Sequence, residues 1–155
     1  MTQEPIGGMT PVEESQALVE LGQACLSAVE PDWSEVVLQY TAVTGHESAE
    51  LVRRASDGSS ISVEVPDSAL EEARRLRNGM YKQDTGTWFS MRYTITPPGS
   101  YGVDFVYDTE PEFTAPVPPT AFEQDLERFP RSDEHTPEWL GRVLARAQGG
   151  EPQRG

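Results

Sequence analysis

Apolar residues alternate with period two in two groups of neighbouring segments, and this grouping constrains the fold more than any other feature of the sequence. The first group covers residues 36–42, 51–55 and 61–65, with the hairpin dipeptide Asp57-Gly58 between the last two. The second group covers residues 89–95 and 101–107, on either side of Pro97-Pro98-Gly99-Ser100. Segments this close together pair as antiparallel hairpins, because a parallel pair needs a crossover of about a dozen residues or more. The sequence therefore predicts an antiparallel sheet of about five strands.

Helical periodicity occupies the stretches around these two groups. A capping box opens a predicted helix over residues 11–29, and Cys25 lies on the apolar stripe of this helix as a predicted buried thiol. A second helix is predicted over residues 68–82, and two shorter ones around residues 122–129 and after Pro137. The order α-β-β-β-α-β-β-α-α is typical of the α+β class, with helices packed on one face of an antiparallel sheet.

The length of 155 residues is enough for one hydrophobic core and short for two. We expect a flexible N-terminal tail over residues 1–10, a single domain over 11–147 and a flexible C-terminal tail over 148–155. A single cysteine cannot form an internal disulfide, and the sequence shows neither a signal peptide nor an apolar run that could span a membrane. These features predict a protein that stays in the reducing cytoplasm.

Acidic residues outnumber basic ones by 26 to 12, which gives a formal net charge of −14. The excess is concentrated in two segments: residues 1–52 hold nine acids and no Lys or Arg, and residues 104–138 hold ten acids and two arginines. Such a surface repels phosphate backbones and anionic lipids, so direct binding to nucleic acid or to a membrane is not expected. The acidic segments are interpreted either as a solvated surface that keeps the chain soluble or as a complement to a basic partner.

The motifs that carry most enzyme chemistry are missing from the sequence. It has no nucleophile elbow, no phosphate-binding glycine loop and no dinucleotide fingerprint, and its two histidines lack the spacing of metal ligands. We therefore expect no cofactor, no metal site and no enzyme activity. Asp104 and Asp108 could form a carboxylate pair for acid–base chemistry, which keeps a hydrolase open as a less favoured alternative. Trp88 is open to two interpretations, as a core residue or as an exposed interface anchor.

The order of these elements, together with a few local motifs, resembles the YezG/EsaG-type antitoxin family. The motifs are Pro31-Asp32-Trp33, Trp88-Phe89-Ser90-Met91, the strand from Tyr101 to Asp108, the Leu126 to Arg131 segment and Pro137-Glu138-Trp139-Leu140. The resemblance covers most of residues 14–146. It implies an acidic cytoplasmic immunity protein that binds and silences a co-encoded secreted toxin, often a nuclease. The proline-rich segment over residues 111–119 is longer than the family pattern leads us to expect.

The resemblance and the charge pattern together predict an immunity protein that binds the C-terminal domain of a cognate toxin through an acidic surface. A basic nuclease cleft would accept carboxylates in place of phosphates. The alternative functions are an acidic interaction or scaffold domain unrelated to toxins and, less favoured, the hydrolase. The predicted partner-binding residues are Trp88, Asp104, Asp108, Glu110, Glu112, Glu123, Asp125 and Glu127.

Overall fold

The computed structural model describes residues 6–113 and 115–148 and contains the predicted order of elements. The helices are α1 (Pro11–Ser27), α2 (Asp67–Gly79), α3 (Pro119–Arg128) and α4 (Glu138–Ala147), with a 3-10 helix (Asp133–His135) between the last two. The strands are β1 (Glu35–Val43), β2 (His46–Arg54), β3 (Ser60–Val63), β4 (Ser90–Thr96) and β5 (Ser100–Val106). The prediction of an α+β domain built on a five-stranded antiparallel sheet is confirmed.

The sheet has the strand order β3-β2-β1-β4-β5, with every neighbouring pair antiparallel. Strand β2 begins at His46, directly after the two-residue turn at Thr44 and Gly45, whereas the alternation predicted a start at residue 51. The prediction missed the first half of β2 because residues 46–50 are exposed or half-buried and leave no apolar alternation to detect. Gly45 has a positive φ of 83°, which is a conformation that glycine adopts without steric cost.

Helices α1 and α2 cover one face of the sheet and enclose the main core. Alternate residues of the central strands, Val36, Leu38 and Tyr40 on β1 and Met91 and Tyr93 on β4, point into this core. The Tyr93 hydroxyl donates to the carbonyl of Leu18 at 2.6 Å and so fixes α1 over β4. The helix is opened by the predicted capping box between Thr10 and Glu13, which is confirmed.

Cys25 is fully buried on the inner face of α1, as predicted. Burial disfavours the charged thiolate and raises the pKa of this thiol to about 12. The side chain therefore serves as a small apolar packing group.

Helices α3 and α4 pack against each other around a second, smaller apolar cluster at one end of the sheet. Val43, the last residue of β1, and Phe89, just before β4, join this cluster. The helices contribute Ala121, Phe122, Leu140 and Val143 as its buried members. The C-terminal helices are thus tied to the sheet through the ends of its two central strands.

Residues 6–10, the described part of the predicted N-terminal tail, contact the end of α2. The Gly7 amide donates to the Asn78 carbonyl at 2.7 Å, the Met9 amide donates to the Gly79 carbonyl at 3.2 Å, and Met9 packs on the main core. The remainder of the predicted tails, residues 1–5 and 149–155, lies outside the described residues. Within the described ranges no helix has the length and apolar character needed to cross a bilayer.

Residues on the two faces of β5 allow a direct test of the register in which β5 pairs with β4. The Phe105 ring lies on the core side, 5.3 Å from the Trp88 ring, whereas Asp104 is exposed on the other face. We expect Phe105→Ala to lower the free energy of unfolding by about 2–4 kcal/mol, since it truncates a packed aromatic ring, and Asp104→Ala to change it by about 0.5 kcal/mol or less. Urea unfolding of the two variants measures both values, and equal losses would contradict the register.

Candidate partner-binding site

A groove of about 340 Å³ lies against the face of the sheet opposite α1 and α2, and we call it the acidic groove. It is bounded by three adjacent strands and by the segment that follows β5. Its lining residues are Gln39 and Thr41 of β1, Ser90 of β4, Val106 of β5, and Thr109, Glu110, Pro111 and Glu112. Glu110 and Glu112 are both exposed, and the lining includes no Lys or Arg.

The floor of the acidic groove carries no charged side chain and combines polar residues of β1 and β4 with the apolar Val106 of β5. Gln39 and Thr41 lie between residues of β1 that point into the main core. The hydroxyls of Thr41 and Ser90 are hydrogen-bonded at 3.2 Å, so the two central strands are cross-linked at the base of the groove. A partner would meet the half-exposed side chains of Gln39, Ser90 and Val106 here, with the two carboxylates at the wall.

The wall of the acidic groove is held in place by Arg131, whose side chain is only 1% exposed. Its guanidinium donates to the carbonyls of Tyr107 at 2.7 Å, His135 at 2.9 Å and Thr87 at 3.1 Å. It also contacts the Asp108 carboxylate at 3.4 Å. Burial lowers the pKa of Arg131 against the opposing effect of Asp108. The segment leaving β5 is therefore tied to the loop after α3.

Further contacts continue this anchoring along residues 108–113. The Trp139 indole N–H donates to the Asp108 carbonyl at 2.9 Å. Pro111 is buried, and the Phe113 ring packs edge-on against the Phe122 ring at 6.4 Å between centroids. Glu110 and Glu112 thus project from a segment that is fixed before Glu110, between the two glutamates and after Glu112.

The structure groups the predicted site residues only in part. Glu110 and Glu112 lie together in the acidic groove. Asp104 is exposed on the same sheet face, where Arg92 is its cross-strand neighbour, and the Asp108 side chain is 77% exposed beside Arg131. Glu123 and Glu127 lie on α3 and do not line the groove.

Trp88 is fully buried, so its predicted role as an exposed interface anchor is wrong. Its ring packs edge-on against Tyr40 at 5.9 Å and lies 5.3 Å from the Phe105 ring. Trp88 precedes β4, which begins at Ser90, and joins the main core while Phe89 joins the second cluster. The alternation of β4 therefore does not extend to Trp88, which is consistent with its interpretation as a core residue.

Asp125 is also buried, with 2% of its surface exposed, so its predicted presentation to a partner is wrong. Both of its oxygens accept from Arg77 of α2 at 2.8 Å, and one also accepts from the amide and hydroxyl of Thr44 at 2.8 and 2.9 Å. The third donor of Arg77 reaches the Trp88 carbonyl at 2.8 Å. This carboxylate is therefore fully occupied inside the protein.

A second cavity of about 350 Å³ lies beside this ion pair, between the β1–β2 turn, α2 and the end of α3. Glu47 at its edge accepts from the Tyr40 hydroxyl at 2.5 Å and forms an ion pair with Arg74. Burial alone would raise the pKa of Glu47, but the hydrogen bonds from Arg74 and Tyr40 outweigh it and lower the pKa. The carboxylate of Glu47 and the guanidinium of Arg74 at this edge of the cavity thus neutralise each other.

Residues 6–113 and 115–148 contain no group of three or more His, Cys, Asp or Glu side chains that could hold a metal ion. No protein-family model matches the chain, and no curated protein is significantly similar to it.

Sequence reasoning missed the neutral floor of the acidic groove and the role of Arg131. The floor was detectable in principle, because Gln39 and Thr41 are the polar positions in the alternation of β1. The role of Arg131 was not detectable, since the carbonyls of Thr87 and Tyr107 that it binds lie 44 and 24 residues away in the chain.

We expect Asp125→Asn to destabilise the protein by about 3–5 kcal/mol, because it leaves the buried Arg77 guanidinium without a compensating charge. Glu123→Gln, which removes a half-exposed charge from the same helix, is the matched control and should cost about 0.5 kcal/mol or less. Chemical unfolding measures both changes. A small loss for Asp125→Asn would show that the pair does not hold α3 in place.

Proposed function

We propose that this protein is a cytoplasmic immunity protein that binds and neutralises the C-terminal domain of a co-encoded secreted toxin. The acidic groove is the surface that meets the toxin, and its basic counterpart is the cleft of a nuclease. The proposal assigns the chain no catalytic step and no cofactor. The observation that carries it is the placement of Glu110 and Glu112, two exposed carboxylates on an anchored segment beside an uncharged floor.

Anchoring supports a binding role more than a role in solubility alone. A solubilising charge works equally well on a mobile loop, whereas a recognition surface gains affinity when its groups are ordered before binding. The hydrogen bonds from Arg131 and Trp139 hold the start of this segment, and Phe113 packs at its end. The conformational entropy of this segment is therefore already lost when the free protein folds, so binding does not have to order it.

The charge distribution supports a basic partner. Residues 104–138 hold ten acids and two arginines, and Arg131 is nearly fully buried. A negative field of this kind accelerates encounter with a positive surface and disfavours anionic partners. A nuclease cleft is positive because it binds phosphates, so carboxylates at its mouth would compete with the nucleic acid.

We expect the double charge reversal Glu110→Lys with Glu112→Lys to slow association with the toxin domain by about tenfold or more and to weaken its salt dependence. The dissociation rate should change less, since exposed carboxylates act mainly on encounter. The measurement is binding kinetics at low and high salt against the C-terminal domain encoded by the neighbouring gene, together with survival on co-expression.

The matched control is Glu64→Lys with Glu71→Lys, which makes the same change in net charge near the opposite edge of the sheet. If both double variants slow association equally, the field of the whole protein steers the encounter and the acidic groove has no special part. If the unmodified chain fails to bind the toxin domain, the immunity role itself is wrong.

A further inference from the structure

The strand at one edge of the sheet, β5, has backbone groups that are free to pair with another chain. Within residues 6–113 and 115–148, strand β4 is its single neighbour in the sheet. In an antiparallel sheet, the backbone groups of successive residues point alternately to the two neighbouring strands. Two hydrogen bonds of Phe89, the residue before β4, to Ala42 of β1 and Val106 of β5 fix which residues point outward.

The Ala42 amide donates to the Phe89 carbonyl at 2.9 Å, which directs the even-numbered residues of β1 and the odd-numbered residues of β4 toward each other. The even-numbered residues of β4 therefore pair with β5. The Val106 carbonyl accepts from the Phe89 amide at 2.9 Å, which agrees with even-numbered residues of β5 facing β4. The amides and carbonyls of Tyr101, Val103 and Phe105 consequently point away from the sheet, and none has a hydrogen-bond partner elsewhere in the described part of the chain.

Folded proteins usually protect such an edge with a short strand, a lysine, a proline or a bulge. The other edge follows this rule, because β3 has only four residues. Strand β5 has seven residues and contains neither lysine nor proline, and its one charged side chain is Asp104. The longer edge is thus left open on the side that leads into the acidic groove, which Val106 lines.

We propose that β5 is extended by a basic strand of the partner, which adds to the sheet as a sixth strand. The inference rests on the proposed function and names the contact that the acidic groove alone does not supply. Main-chain hydrogen bonds give such a contact its affinity, and alternate side chains give it specificity. The predominantly acidic surroundings, with Asp104 on the strand and Asp108, Glu110 and Glu112 after it, select Lys or Arg in the added strand.

The two faces of β5 define the pattern of the added strand. On the core side, Val103 and Phe105 are half-buried and Tyr101 is 38% exposed and stacked on Tyr93 at 5.2 Å, so apolar residues fit there. On the groove side, Asp104 is exposed between Gly102 and Val106, with Arg92 as its neighbour on β4, so a basic residue fits beside Asp104 on the free side of the strand. The occupant is therefore an extended segment in which apolar and basic residues alternate. A second copy fits less well, because each copy has a net charge of −14 and would bring its own Asp104 to the junction.

Amide exchange measured by NMR tests the inference, with a capped peptide of alternating lysine and valine as the probe. In the free chain, the amides of Gly102 and Asp104 should exchange slowly and those of Tyr101, Val103 and Phe105 quickly. Saturating peptide should slow exchange of the three outward amides by about tenfold or more and leave the inward ones unchanged. A peptide with glutamate in place of lysine should have no effect.

Val103→Pro removes one outward donor without breaking a bond to β4 and should abolish binding of the lysine–valine peptide. Ser62→Pro is the matched control, because the Ala55–Ser59 hydrogen bond places the even-numbered residues of β3 on the outer side of that edge. If Val103→Pro prevents folding, the exchange pattern of the unmodified chain decides the question by itself.

Protection that is uniform along β5, equal for both peptides or absent would overturn the inference. Protection of the same three amides in the peptide-free chain at high protein concentration would assign the edge to a second copy and overturn it as well. The same amide-exchange measurement with the toxin domain distinguishes a failure of this inference from a failure of the proposed function. Binding that depends on Glu110 and Glu112 but leaves the outward amides in fast exchange would retain the immunity role and exclude strand addition.

Discussion

The buried ion pair between Arg77 and Asp125 is the interaction on which the rest of the structure depends. Taking two charges out of water costs several kcal/mol, and this cost is offset only when both groups are fully hydrogen-bonded. Here all three nitrogens of the Arg77 guanidinium donate hydrogen bonds, two to Asp125 and one to the Trp88 carbonyl. The amide and hydroxyl of Thr44 donate to the same carboxylate. Helix α2, helix α3, the β1–β2 turn and the chain before β4 must therefore take up these positions together.

A second buried arginine extends this constraint to the surface. The guanidinium groups of Arg77 and Arg131 lie 5.7 and 4.8 Å from the centre of the Phe89 ring, so one aromatic side chain is shared by two cations. Arg131 then binds the carbonyl of Tyr107 and the side chain of Asp108 at the exit of β5. The acidic segment is in this way connected to the core through two arginines and one ring, and these contacts fix its position where it leaves the sheet.

The fold followed from the sequence because its decisive signals are local. Hairpin turns and alternation act over a few residues, and every strand of this sheet shows apolar alternation except the first half of β2, residues 46–50. The site was only partly predictable, since acidic residues that look equivalent in the sequence differ in burial and in pairing in the structure. Asp125 forms an ion pair with an arginine 48 residues away, whereas Glu123 and Glu127 on the same helix have no ion-pair partner among the described residues. Trp88 was misplaced for a related reason, because the chain leaves regular strand geometry just before β4.

The burial of Trp88 changes what a partner surface on this protein must consist of. Exposed carboxylates steer an encounter but contribute little to the lifetime of a complex, and a desolvated aromatic anchor often supplies the remainder. Trp88 lies in the core instead, and the described residues that line the acidic groove include no aromatic side chain. In the proposed complex, the lifetime must then come from other contacts, such as directional hydrogen bonds. The outward backbone groups of β5 are such contacts, and they lie on the strand that leads directly into the anchored acidic segment.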